Sequence, residues 1–199
     1  FEKKYRDASL KTATSIANSL FEHCLWYFVR DGSAPKIELV DGDETISLTE
    51  VYEGHMASQA VTETVSVKDR SFALTHIRLS STSRPHAIAL CAASRLVKEE
   101  SLSGKIPGLF GRLDDGTSQF VYLCYVSSDF LDEAVRSERT AFDISEDLGE
   151  LFADDDISLS DIREAVIQKA AIHLAEYLNT SDALTCAIES SNDIRHLFA

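Results

Sequence analysis

The amino-acid sequence predicts an α+β protein, in which an antiparallel or mixed sheet has helices packed on one face. Three observations favour this class. Apolar residues recur every three or four positions near both ends of the chain, whereas the middle alternates with a period of two. Short turn sequences separate the alternating segments. Two further apolar segments, 86–94 and 119–127, alternate little, as strands covered on both faces do.

Residues 8–30 are predicted to form the first helix, which Gly32 and Pro35 end. Its apolar face comprises Ala13, Ile16, Ala17, Leu20, Cys24, Tyr27 and Phe28. The segments KIELV and ETISL then flank Asp41-Gly42-Asp43, and Asp-Gly between two alternating segments is typical of a hairpin. The segment SLTEVYEGHM predicts a short helix after that hairpin.

The central segments predict the main sheet. QAVTETVSV (59–67) and FALTHIRLS (72–80) are expected to pair as antiparallel strands around a turn at residues 68–70. The two apolar strands follow, joined by a short crossover in which Val97–Leu102 are predicted to form one or two helical turns. Residues 104–111 of this crossover, rich in glycine and proline, are predicted to form a shaped loop. The last strand is predicted to extend from Gln119 to about Leu131.

The C-terminal part is predicted to be helical. Ser158 and Asp161 have the spacing of a capping box, and a helix is expected from there to about residue 178. A break is predicted at residues 179–181, with a further helix beyond it. These elements suggest three parts: an N-terminal helix (1–34), an α+β domain (35–150) and a C-terminal helical segment (151–199).

Composition argues against several functions. The net charge is −14, with 19 basic against 33 acidic residues, which disfavours nucleic-acid binding. The four separated cysteines suggest reduced thiols in a cytoplasmic protein, and no segment is long and apolar enough to cross a membrane. No metal site is expected, because the histidines lack ligand spacing and the acidic run 154–156 suits a helix start. His76 and His173 are expected to pack in the core. The abrupt start at Phe1, without methionine, predicts a fragment of a longer protein.

The segment DEAVRSERTAFDI, from Asp132 to Ile144, is the best candidate site. It carries Arg136 and Arg139 among four carboxylates and then two apolar residues, Phe142 and Ile144. In one interpretation the arginines form surface ion pairs worth at most about 1 kcal/mol. In the other, the apolar residues anchor a loop that presents a guanidinium to a phosphate group. The residues alone favour neither interpretation.

Two segments resemble a known family. ALCAASRLVKEESL and FVYLCYVSSDFLDEAVRSERTAFDI are similar to the second, non-nucleotide-binding domain of GHKL ATPases, which include the ATPase component of DNA gyrase, MutL and the large heat-shock chaperone. CAASRLV resembles a MutL strand, with Arg95 and Val97 in matching places, and LDEAVRSERTAF matches a later MutL pattern in spacing. KIPGLFGRL followed by YVSSDFLDEAVRSER resembles the chaperone branch. The resemblance covers about residues 60–145 and fits a prokaryotic chaperone-like or MORC-like ATPase better than a MutL orthologue.

The resemblance implies a transducer (middle) domain with the two-layer fold of a ribosomal protein. Arg139, or Arg136 in the chaperone register, would act as the catalytic arginine on the γ-phosphate of ATP. Arg95 and Lys105 would be weaker nucleotide-binding candidates. An upstream domain of the same protein would bind ATP with Mg²⁺, and this chain alone would bind neither. A homodimer and a protein client are also implied. The alternative is a protein-interaction module without a catalytic role.

Overall fold

The computed structural model describes residues 12–30, 35–55, 60–80, 82–138, 140–147 and 156–196, with the side chains of the last helix described as far as Leu178. Contacts between residues divide the chain into two compact units, Phe1–Ala60 and Val61–Ala199. Both contain helices and strands, so the α+β class is confirmed. The division into 1–34, 35–150 and 151–199 stays a prediction.

The first unit consists of a helix, a hairpin and a second helix. These elements are α1 (Ala13–Val29), β1 (Glu38–Asp41), β2 (Glu44–Ser47) and α2 (Leu48–His55). Thr12 caps α1, because its side chain accepts a hydrogen bond from the Ser15 N–H at 3.1 Å. Phe28 of α1 stacks on Tyr52 of α2, with 5.7 Å between ring centroids. The predicted hairpin is confirmed, whereas residues 8–11 of the predicted helix lie outside the described residues.

The second unit is built on one mixed sheet. Its strands are β3 (Val61–Val67), β4 (Arg70–Leu79), β5 (Ala87–Ala92), β6 (Arg95–Ser101), β7 (Leu113–Asp114) and β8 (Gln119–Ser127). The five long strands have the order β3-β4-β8-β5-β6, and β7 pairs with β8. The pairing of β5 with β8 is parallel, and the other pairings are antiparallel. All six residues of β5 are buried, as the lack of alternation predicted.

The predicted helical turns at Val97–Leu102 are wrong. These residues belong almost entirely to β6, which pairs antiparallel with β5. The reversal occurs at Ala93 and Ser94, whose φ angles are 45° and 69°. Two consecutive left-handed residues make the tight hairpin turn that glycine or asparagine usually signals. Because neither residue is glycine or asparagine, this turn has no local signal in the sequence.

The predicted extension of the last strand to Leu131 is also wrong. Strand β8 ends at Ser127, and residues Asp129–Ala134 form a short helix, α3. Ser128 caps it by accepting a hydrogen bond from the Leu131 N–H at 3.1 Å. Asp129 and Asp132 in the first turn favour the positive end of this helix.

The last helix, α4 (Leu159–His196), begins where the capping box predicted. The Ser158 N–H donates to Asp161 Oδ2 at 3.0 Å, and the Asp161 N–H donates to Ser158 Oγ at 3.1 Å. The predicted break at residues 179–181 is wrong, since the backbone remains helical to His196. Asparagine, threonine and serine each cost a helix only up to about 0.7 kcal/mol relative to alanine, so they do not end one by themselves.

Helix α4 packs on one face of the sheet and closes the main core. Its residues Ile162, Val166, Ala170 and Leu174 recur every four positions and are fully buried. They belong to a cluster that includes Leu74, Phe120, Tyr122 and Val126 of the sheet. Burying each large apolar side chain contributes about 1.5–3 kcal/mol, so this row holds the helix in place. Among the described helices, none combines the length and the apolar character that a membrane span requires.

We expect Ser158→Ala to lower the free energy of unfolding by about 1 kcal/mol, because it removes the cap of α4. Urea denaturation followed by circular dichroism measures this change. Ser160→Ala is the matched control, since it removes a hydroxyl from the first turn of the same helix and leaves the capping box of Ser158 and Asp161 intact. Equal effects of the two substitutions would show that the capping box does not stabilise α4.

Candidate functional site

The parallel pairing of β5 and β8 brings two connections to one edge of the sheet. Parallel strands end at the same edge, so the β5–β6 turn and the β8–α3 connection lie close together. A direct contact joins them: the Ala93 N–H donates a hydrogen bond to Asp132 Oδ1 at 2.8 Å. We call this region the β5/β8 edge; it comprises residues 92–95 and the described residues of 128–144.

A closed loop follows α3 at this edge. Val135 and Phe142 form an antiparallel bridge, and the described residues between them, 136–138 and 140–141, make up what we call the arginine loop. The Arg136 N–H donates to the Ala141 carbonyl at 3.0 Å, and the Asp143 N–H donates to the Ala134 carbonyl at 2.7 Å. Phe142 is buried, and Ile144 packs against the main core. The expectation that these two apolar residues anchor the loop is confirmed.

Of the two candidate arginines, Arg136 is among the described residues. The Arg136 side chain is 56% exposed, and its Nη2 lies 3.7 Å from Oδ1 of Asp143, which is 85% exposed. Such an exposed pair contributes at most about 1 kcal/mol, so the guanidinium can exchange this partner for another. Arg139 lies outside the described residues.

The other two candidate residues, Arg95 and Lys105, lie near opposite ends of strand β6. Arg95 is exposed at the first position of β6, directly after the β5–β6 turn, and so belongs to the β5/β8 edge. Lys105 follows the far end of β6, where Ser101 pairs with the first residue of β5. The seven residues of β6 span roughly 20 Å. One phosphate group cannot contact both Lys105 and the arginine loop across that distance.

Lys105 contributes to an ion-pair network. Its Nζ lies 3.3 Å from Oε2 of Glu100. Arg163 of α4 binds Glu100 through both its Nε and Nη2, at 2.6 and 3.1 Å. The hydrogen bond from Arg163 is the main reason that the pKa of Glu100 falls to about 2. This network ties β6 to α4, which is a structural role.

A polar network that the sequence pattern does not predict lies between the sheet and α4. Tyr122 Oη lies 2.6 Å from His76 Nδ1, and His76 Nε2 lies 3.0 Å from Glu63 Oε1. Lys169 of α4 donates to Glu63 Oε2 at 3.1 Å. The ring of His173 stacks on that of His76, with centroids 4.1 Å apart. His76 is buried and His173 is partly buried, as expected, but their association depends on strand and helix registers that periodicity does not give.

Burial determines the protonation of this network. It lowers the pKa of His76 to about 4, with a further contribution from His173, and it also lowers the pKa of His173. Burial raises the pKa of Glu63, but the hydrogen bonds and charges of Lys169 and His76 together outweigh it and lower the pKa overall. Neutral His76 therefore donates from Nε2 to the Glu63 carboxylate and accepts the Tyr122 hydroxyl at Nδ1.

The thiols and carboxylates of the described ranges show no reactive or metal-binding arrangement. Cys24, Cys91 and Cys124 are free thiols, and burial raises the pKa of Cys124 to about 12. Within the same ranges, no group of three or more His, Cys, Asp or Glu side chains is placed to hold a metal ion. Asp154 and Asp155 lie outside the described residues.

Comparisons with protein-family models, curated proteins and solved structures gave no match to this chain. The resemblance to GHKL ATPases therefore stays a prediction.

We expect the free energy of unfolding to fall by about 2 kcal/mol as the pH drops from 6.5 to about 4.5, because of His76 alone. In the unfolded chain His76 takes up a proton near its ordinary pKa of 6.5, whereas the folded protein resists protonation until about pH 4. The stability contribution is thus present above pH 6.5 and is lost below it. His173 acts in the same direction.

Chemical denaturation at several pH values measures this slope in the wild type and in His76→Gln. The substitution should flatten the slope, because glutamine does not titrate in this range. A slope that is equally steep in His76→Gln would exclude His76 as its source.

Proposed function

We propose that residues 35–150 act as the transducer domain of a GHKL-type ATPase and sense the γ-phosphate of ATP through the arginine loop. One observation carries this proposal. The loop is closed at its base by two backbone hydrogen bonds, and it presents the exposed guanidinium of Arg136 at the end of the sheet. Arg139, the other candidate, follows three residues later in the sequence.

The geometry of the loop suits phosphate recognition. A guanidinium has a planar fork of donors that fits two phosphate oxygens, and it stays charged at any physiological pH. The bridge between Val135 and Phe142 holds the base of the loop, so less entropy is lost when an arginine binds. Among the described residues, the carboxylate that pairs with Arg136 is the exposed Asp143, which binds it weakly.

The mechanism that we propose is stabilisation of charge and a domain switch. ATP with Mg²⁺ would be bound by an upstream domain of the same protein. The loop arginine would bind the γ-phosphoryl group as charge develops on it during transfer, as arginine fingers do. Loss of the γ-phosphate would break this contact and release the transducer for a rigid-body rotation. Arg95, at the same edge, is a candidate for a secondary phosphate contact, while Lys105 is too distant for that role.

In the full-length protein, we expect either Arg139→Ala or Arg136→Ala to lower the rate of ATP hydrolysis roughly a thousandfold, because an arginine finger contributes about that much. The other substitution should have an effect of about threefold or less. The steady-state rate of phosphate release measures both. Replacing the sensitive arginine by lysine should restore only part of the rate, since lysine keeps the charge but loses the fork.

Lys36→Ala, which removes an exposed cation from the first unit, is the control for general effects of charge. Unchanged rates in both arginine variants would contradict the proposed sensing role. The gene supplies a further test, because an upstream Asn-bearing helix with a DxGxG motif is required. A gene without them would favour the protein-interaction module instead.

A further inference from the structure

We infer that Asp132 is a positioning residue, which fastens the arginine loop to the β5–β6 turn. This inference rests on the proposed function for its catalytic consequence. The contact itself is independent of that function: Asp132 Oδ1 accepts a hydrogen bond from the Ala93 N–H at 2.8 Å, across 39 residues of sequence.

The turn has a backbone donor that lacks a partner within the hairpin, and Asp132 meets it at an exposed position. In a two-residue hairpin loop, the N–H of the first loop residue has no partner in the strand ladder. Ala93 is that residue here, because Ala92 and Arg95 form the last pair of β5 and β6. The carboxylate of Asp132 supplies the missing acceptor, and a charged acceptor makes a stronger hydrogen bond than a neutral one.

The turn also requires support because its backbone is strained. Ala93 and Ser94 have φ angles of 45° and 69°, in the left-handed region that residues with a Cβ seldom adopt. Such conformations persist where the surroundings hold them. Asp132 is the side chain that holds this one from outside the hairpin.

Asp132 links the turn to the arginine loop through α3. It lies in α3, three residues before Val135, which begins the bridge that closes the arginine loop. The Ser128 cap fixes the start of α3, the Phe142 bridge fixes the end of the loop, and Asp132 fixes the helix against the sheet. One exposed hydrogen bond thus couples the β5–β6 turn, with Arg95 beside it, to the helix that leads into the arginine loop.

Amide hydrogen exchange on this chain tests the contact itself. In Asp132→Ala, the amides of Ala93, Arg136 and Asp143 should exchange about fivefold faster or more, consistent with the loss of one hydrogen bond to a charged group. Asp132→Asn keeps an acceptor oxygen and should stay close to the wild type. Glu133→Ala, which removes the adjacent exposed carboxylate, is the matched control. Unchanged exchange in Asp132→Ala would overturn the inference.

ATP hydrolysis by the full-length protein tests the catalytic consequence. Asp132→Ala should lower kcat about tenfold, which is about 1.4 kcal/mol of transition-state stabilisation, with an unchanged KM for ATP. Its melting temperature should fall by only about 2–4 °C, the loss expected from one hydrogen bond, and Asp132→Asn should recover most of kcat. The double substitution Ala93→Asn with Ser94→Gly supplies residues that favour the turn, so it should reduce the effect of Asp132→Ala.

The outcomes separate this inference from the proposed function. If the arginine variants lower the rate and Asp132→Ala does not, Asp132 has no positioning role. If the arginine variants leave the rate unchanged, the proposed function fails, and hydrogen exchange alone then decides whether Asp132 holds the loop. A loss of folding in Asp132→Ala would appear in the melting temperature, and the rescue by Asp132→Asn then carries the test.

Discussion

The parallel pairing of β5 with β8 is the constraint on which the candidate site depends. Every other pairing in the sheet is antiparallel. If β5 and β8 were antiparallel, the β5–β6 turn and the arginine loop would lie at opposite edges, and the contact between Asp132 and Ala93 could not form. The parallel pairing requires a crossover, which this chain makes with β6, a glycine-rich loop and β7.

Helix α4 stabilises this arrangement from one face of the sheet. Its apolar row packs in the main core, and several polar contacts to the sheet help to fix its position. Arg163 binds Glu100 of β6, and Lys169 binds Glu63 of β3, so both edge strands are tied to the same helix. The network of His76, Tyr122 and His173 lies between these contacts. It satisfies buried polar groups that would otherwise destabilise the core.

Much of the fold follows from local sequence patterns, and the site follows only in part. The hairpin at Asp41-Gly42, the buried strand β5 and the capping box at Ser158 each have a local signal, and each is confirmed. The turn at Ala93 and Ser94 has no such signal, because its strained backbone is held by a residue 39 positions away. The short helix α3 has the sequence pattern of a strand, because the apolar residues Phe130 and Leu131 continue the pattern of β8.

The arginine loop likewise has one feature that the local sequence predicts and others that it does not. Its anchor at Phe142 is predictable from the apolar residues that follow the charged segment, and the structure adds the backbone bridge that closes the loop. Which of its arginines would contact a nucleotide is not determined by spacing, because the two family registers differ by three residues. The position of Lys105 depends on the direction in which β6 runs. The local sequence pattern predicts helical turns for most of this segment instead of a strand, so it does not give that direction.

The affinities of the full-length protein for ATP and for ADP test the central claim most directly. If the loop binds the γ-phosphate, the wild type should bind ATP more tightly than ADP, and the double variant Arg136→Ala with Arg139→Ala should lose that preference while its affinity for ADP stays the same. An unchanged ratio of the two affinities in the double variant would contradict γ-phosphate sensing by the arginine loop.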